Sequence, residues 1–84
     1  MTEAATYAQD QLERLRVTAW SDQIMNDGNH SNNIPAGLSG IAYGRTWSVA
    51  TTGTIKTVTI TLSWTDAVAP HSFNLVSAIL NPNL

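Results

Sequence analysis

The sequence predicts an α+β domain in which a long N-terminal helix packs on a three-stranded antiparallel sheet. Two observations lead to this fold class. Apolar residues recur every three or four positions in the first quarter of the chain, and every second position through much of its second half. These are the periods of a helix face and of a strand face. A chain of 84 residues is expected to form a single domain over residues 1–84, with a modest core.

The N-terminal helix is predicted over residues 2–25. Its main apolar stripe has members three or four positions apart: Ala5, Ala8, Leu12, Leu15 and Ala19. A second stripe continues at the same spacing: Val17, Trp20 and Ile24. A helix of this length spans about 36 Å and is marginal by itself in water, so the sheet must cover its stripe. The exposed charges of the helix form either a solvated face or an inter-subunit contact: Asp10, Glu13, Arg14 and Arg16.

Residues 26–40 are predicted to form a loop. The loop opens with Asn26-Asp27-Gly28-Asn29, a turn signal that ends the helix because Gly and Asn accept the left-handed conformation. A loop this long in a compact domain is either a plain connector over the sheet or a recognition element. It does not match an EF-hand calcium loop, since placing Gly28 at the glycine position puts Gln23 first and Ile34 last.

Three strands are predicted within residues 41–80, at 41–51, 56–65 and 71–80. Each alternates between two sets of side chains, the pattern of a strand with two different faces. The Thr and Ser face of the middle strand is expected to be solvated. The opposite, apolar strand faces and the helix stripe are expected to form one core: Leu15, Ala19, Trp20, Trp47, Val58, Ile60, Leu62, Trp64, Phe73 and Leu75.

Composition excludes several classes of function. The net charge is −2, and only four basic residues are present, without a cluster. Nucleic acid is therefore not an expected partner of this domain alone, because binding a phosphate backbone needs clustered Lys and Arg. The chain has no cysteine, so thiolate nucleophiles and cysteine-ligated metals are excluded. The sequence also contains no apolar run of about 18 residues that spans a bilayer.

No constellation of catalytic residues emerges from the sequence. Asp66 and His71 approach each other across a turn, which supplies two metal ligands at most, and His30 stands apart in the predicted loop. No Gly-x-Ser-x-Gly elbow activates a serine. We therefore predict no enzymatic activity, no cofactor and no metal site. A metal-dependent hydrolase centred on His71 is the least favoured alternative.

Three segments resemble a known family. AQ-x-QLE-x-LR at residues 8–16 resembles the exit of the long N-terminal helix of type IV pilins and pseudopilins. GRTWSV at 44–49 and VTITLSW at 58–64 are similar to the sheet of minor pilins of the PilV type and of the minor pseudopilin I of type II secretion. The resemblance extends over residues 4–80. The family's leader, cleavage site and apolar first half of the helix are not among these residues and are expected to precede Met1.

The resemblance implies a non-enzymatic structural subunit that assembles helix to helix with other minor pilins or pseudopilins, in a complex that primes or caps the filament. It also implies anchoring in the inner membrane, facing the periplasm, through the segment before Met1. The helix is expected to run unbroken over residues 4–24 and to leave its first turns uncovered. On this basis we expect four residues to face a partner subunit: Tyr7, Ala8, Gln11 and Leu12. The free edge of the sheet is a second expected contact.

The competing hypothesis is a stand-alone domain that binds a ligand through residues 26–40. The two hypotheses differ in what the gene encodes before Met1. The subunit hypothesis expects a leader followed by about 20 apolar residues, the length of a membrane-spanning helix. The ligand-binding hypothesis expects a start codon at Met1.

Overall fold

The computed structural model describes residues 3–34 and 40–81. It contains a helix, a short 3-10 turn and four strands: α1 (Glu3–Val17), the turn (Gln23–Met25), β1 (Gly28–Ile34), β2 (Tyr43–Thr52), β3 (Ile55–Thr65) and β4 (Pro70–Leu80). The strands form one antiparallel sheet in the order β1-β2-β3-β4. Strands account for 53% of the described residues, so the domain is mostly β with one short helix.

The predicted fold class is therefore wrong, first in the number of strands in the sheet. The sheet has four strands rather than three, because β1 lies inside the predicted loop 26–40 and pairs with β2 from Gly28↔Val49 to Ile34↔Tyr43. The sequence of β1 is rich in Asn and Ser, which have low strand propensity, so pairing with the edge of β2 decides its conformation. Residues 35–39 of the predicted loop lie outside the described residues.

The predicted helix 2–25 is also wrong, since α1 ends at Val17 and is short. Just beyond this end, the hydroxyl of Thr18 donates to the carbonyl oxygen of Arg14 at 2.6 Å. The chain then turns, and the carboxylate of Asp22 accepts a hydrogen bond from the Ile24 N–H at 3.1 Å as N-cap of the 3-10 turn. Thr, Ser and Asp side chains compete with helical hydrogen bonds in this way. Residue 2 lies outside the described residues.

The core lies between α1 and one face of the sheet. Alternate residues of β2 and β3 point toward the helix, as in any pleated strand. The buried apolar side chains are Ala4, Ala8, Leu12 and Leu15 of α1, Met25 of the 3-10 turn, and Tyr43, Trp47, Val49, Val58, Ile60, Leu62 and Ile79 of the sheet. Because Ala4 and Ala8 are buried, the expectation that the first turns of the helix are left uncovered is wrong.

The residues predicted for the core fall into three groups. Five are buried: Leu15, Trp47, Val58, Ile60 and Leu62. Four are half-buried and pack against the buried cluster: Trp20, Trp64, Phe73 and Leu75. Ala19 is exposed, because α1 ends before it and Ala19 is no longer part of the apolar helix stripe.

Leu15 provides a test of how α1 packs. Leu15→Ala removes a fully buried side chain and should lower the free energy of unfolding by about 2–5 kcal/mol, measured by urea denaturation. Val17→Ala is the matched control on the same helix. Val17 is 85% exposed, so its truncation should change stability by no more than about 0.5 kcal/mol. Equal losses in the two variants would contradict the packing described here.

Candidate functional site

The four residues expected to contact a partner lie on the side of α1 that faces the sheet. Ala8, Gln11 and Leu12 are buried in the domain's own core, and Tyr7 is half-buried against it. A partner would reach the three buried residues only if α1 separated from the sheet. The contact of these residues with a partner subunit stays a prediction.

The opposite side of α1 is exposed and carries charges of both signs. Gln9, Asp10, Glu13, Arg14 and Arg16 are all exposed. Arg16 Nη1 and Glu13 Oε1 lie 3.3 Å apart, with both side chains largely in solvent. An exposed pair of this kind adds only about 0–1 kcal/mol to stability, so this pair contributes little to the fold.

A row of four aromatic rings fixes the N-terminal half of α1 to the sheet. The Tyr7 ring meets Tyr43 edge-on, with centroids 5.2 Å apart, and Tyr43 is 5.2 Å from Trp64. His71 stacks on Trp64 at 5.5 Å. Burial raises the pKa of the Tyr43 hydroxyl, and a hydrogen bond to Glu3 raises it further. The row is therefore a packing element of the domain.

Arg45 is buried at the interface between α1 and the sheet. Its Nε donates to Asn32 Oδ1 of β1 at 2.9 Å, and its Nη1 donates to the Tyr7 carbonyl oxygen of α1 at 3.2 Å. Burial lowers the pKa of the guanidinium, and the nearby charge of Arg14 lowers it further. Arg45 thus connects the edge strand, the next strand and the helix.

Lys56 is the second buried cation on the same face. Its ammonium group donates to the Met25 carbonyl oxygen at 2.7 Å and lies 4.9 Å from the centroid of the Trp20 ring. The indole N–H of Trp47 donates to the neighbouring Ile24 carbonyl at 2.9 Å. Together these contacts hold the segment that follows α1 over the sheet. Sequence reasoning did not predict this role. Arg45 and Lys56 both point to the same side of their strands as the buried apolar residues.

Gln11 is the one buried side chain among the described residues whose polar atoms lack hydrogen-bond partners. Both its amide nitrogen and its amide oxygen are affected, and the residue is 1% exposed. A buried polar group without a partner costs about 1–3 kcal/mol. Gln11 therefore weakens the contact between α1 and the sheet.

The two histidines are engaged in local contacts. The His30 ring stacks on Trp47 with centroids 5.5 Å apart, and its Nε2 lies 2.7 Å from the Asn26 carbonyl oxygen. His71 Nε2 lies 2.6 Å from Asp66 Oδ2. The described residues contain no group of three His, Asp or Glu side chains that could hold a metal ion.

Asp66 caps the turn between β3 and β4. Its Oδ1 accepts the backbone N–H groups of Val68 and Ala69 at 2.8 and 2.9 Å. These two bonds, and after them the bond to His71, lower the pKa of Asp66 below the usual range of an aspartate. The Asp66–His71 pair is therefore explained by turn geometry.

The described part of residues 26–40 is not a loop throughout. Residues 28–34 are strand, and the carboxylate of Asp27 accepts a hydrogen bond from the Thr51 hydroxyl, which ties the start of β1 to the end of β2. Residues 35–39 lie outside the described part of the chain. No helix among the described residues has the length and apolar character needed to cross a membrane.

Comparison of the chain with protein families, with curated proteins and with solved structures finds no match.

The destabilising effect of the buried Gln11 amide can be tested by comparing a substitution at Gln11 with the same substitution at the exposed Gln9. Gln11→Met keeps the size of the side chain and removes the unpartnered amide, so it should raise the free energy of unfolding by about 1–3 kcal/mol in urea denaturation. Gln9→Met, on the exposed side of the same helix, should change it by no more than about 0.5 kcal/mol. A loss of stability in Gln11→Met would mean that the amide has hydrogen-bond partners.

The lowered pKa of Asp66 predicts how this group contributes to stability as the pH changes. A carboxyl group whose pKa is lowered on folding contributes stability above its unfolded pKa of about 3.9, and loses it as the pH falls through the folded pKa. NMR titration of the Asp66 carboxyl should give a pKa below the usual range, and His71→Ala should leave most of this lowering in place, because the backbone bonds are its largest causes. A return to the ordinary value in His71→Ala would instead make the histidine the dominant partner.

Proposed function

We propose that this chain is a non-enzymatic structural subunit of the minor-pilin or pseudopilin kind, which assembles through its N-terminal helix into a type IV pilus or a secretion pseudopilus. Its partners in this proposal are other minor pilins or pseudopilins. The subunit is anchored in the inner membrane through residues encoded before Met1, with this domain facing the periplasm, and then enters the filament. The proposal starts from the resemblance of residues 8–16, 44–49 and 58–64.

One observation carries the proposal: the sheet covers only one side of α1. The helix presents Ala4, Ala8, Leu12 and Leu15 to its own sheet and leaves a charged, polar side along its full length in solvent. A neighbouring helix has access to that side without disturbing the fold. The charges of both signs on it would favour a partner helix whose charges are complementary.

The proposed contact differs from the one expected from the sequence. Tyr7, Ala8, Gln11 and Leu12 serve the domain's own core, so the proposed contact moves to the exposed residues Gln9, Glu13 and Arg16. It also stops at Val17, because the helix does not continue to residue 24. The assembly interpretation therefore rests on α1 alone, and residues 18–27 belong to the globular domain.

The proposal includes no catalysis, because the buried cations and the two histidines are used in packing contacts. Arg45 and Lys56 donate to carbonyl oxygens of the segments above the sheet. His30 and His71 stack on tryptophans. Groups held in this way stabilise the packing of the domain, which is what a structural subunit requires.

The experiment is site-specific photo-cross-linking in cells that express the full encoded chain. A photoreactive residue at Glu13 should give an adduct with another subunit, since Glu13 lies on the free side of α1. The matched control is Val68, which is 91% exposed and lies in the turn between β3 and β4, outside α1. The absence of an adduct from Glu13, or equal adducts from both positions, would contradict assembly through the helix.

A further inference from the structure

The free edge of β4 lacks the features that keep edge strands from pairing. Protective features include short length, charged side chains, internal proline and β-bulges. β4 has 11 residues, and its register against β3 runs unbroken from Ile55↔Leu80 to Thr65↔Pro70. It contains no Asp, Glu, Lys or Arg, and its only proline, Pro70, is its first residue. In the described part of the chain, β4 has a strand neighbour on one side only.

An exposed apolar patch lies along the same edge. Val76 and Leu80 are 62% and 65% exposed, and Ile55, which pairs with Leu80, is 38% exposed. These side chains share the face of the sheet that is turned away from α1, with Ala78 between Val76 and Leu80. A contiguous apolar patch of this kind marks an interaction surface.

The opposite edge of the sheet differs in both respects. β1 has only 7 residues. Its side chains on the same outer face are Asn29, Ser31 and Asn33, which are polar. The greater length and the apolar outer face of β4 therefore indicate that β4, rather than β1, is the edge suited to pairing with another strand.

We propose that the β4 edge pairs with the β4 edge of a second copy of this chain, so that two four-stranded sheets join into one. A two-fold axis generates antiparallel pairing of two identical strands, and each copy supplies the same uncharged edge with exposed apolar residues at 76 and 80. Because β4 carries no charged residue, no like charges meet across the axis. For the same reason, β4 has no charge with which to select a charged strand of another protein.

The positions of the apolar residues set the register. With the axis at Ala78, Val76 lies opposite Leu80 of the partner subunit, and Leu80 lies opposite Val76 of the partner subunit. Opposed side chains in an antiparallel pair have Cβ atoms about 4.5–5.5 Å apart, so this register covers the most exposed apolar side chains of the edge with each other. The contact does not involve α1, so it stands or falls independently of the proposed function.

Disulfide cross-linking tests this pairing directly, because the chain has no cysteine of its own. Ala78→Cys should form a disulfide-linked dimer under mild oxidation, seen as a doubling of the 9.1 kDa mass. At the axis the two Cα atoms would be about 4.5–5.5 Å apart, within disulfide range. Mixing Val76→Cys with Leu80→Cys should give the mixed dimer.

Ser72→Cys is the matched control, since Ser72 is exposed on the same face of the same strand. In the proposed register the two copies of residue 72 lie about 40 Å apart, at about 3.4 Å per residue, so no dimer is expected. Val76→Lys, which opposes the pairing with a charge, should abolish dimers of the cysteine-free chain in sedimentation analysis. The proposal is overturned if Ala78→Cys cross-links no faster than Ser72→Cys, or if the cysteine-free chain is monomeric before the Val76→Lys change.

Discussion

The width of the sheet sets the course of the first part of the chain. Four strands about 4.8 Å apart make a face roughly 19 Å wide, whereas an α-helix with its side chains is about 10 Å in diameter. One helix therefore cannot cover the apolar face of this sheet. α1 packs over β3 and β4, and the chain leaves the helical conformation at Val17 to bring residues 20–25 over the remainder.

A non-helical segment over an apolar face brings a cost, because its backbone carbonyls lose contact with water. The sheet supplies donors for them: Lys56 binds the Met25 carbonyl, and the Trp47 indole binds the Ile24 carbonyl. This explains why basic and polar groups occur at strand positions that otherwise bury apolar side chains. The donors satisfy the buried carbonyls that would otherwise lack partners.

The surfaces that stay exposed after folding differ in the chemistry of their side chains. The outer side of α1 carries charges of both signs, the outer face of the sheet carries Thr, Ser and Asn, and the β4 edge carries an exposed apolar patch. The proposed helix contact, governed by charge, and the proposed edge contact, governed by backbone pairing, are compatible on one molecule, since they use different surfaces of it. Such a division suits a small subunit with more than one neighbour.

The sequence by itself determined the elements whose hydrophobic period is strong. The alternation in residues 41–51, 56–65 and 71–80 predicted β2, β3 and β4 closely, since each alternates between two different faces. The core positions Leu15, Ile60 and Leu62 followed from the same patterns. For the candidate site, sequence reasoning found the helix but not that Ala8, Gln11 and Leu12 are buried in the domain's own core, because apolar residues at helical spacing suit a partner and the chain's own sheet equally well.

Only the tertiary structure decided β1, the end of α1 and the roles of the buried polar groups. The sequence of β1 is typical of a loop, and it forms a strand because the edge of β2 offers hydrogen bonds along its length. α1 stops at Val17 because the width of the sheet and the local bonds of Thr18 and Asp22 outweigh a helical pattern that continues to residue 24. These outcomes depend on what surrounds each segment in space, and a period along the chain contains no information about that.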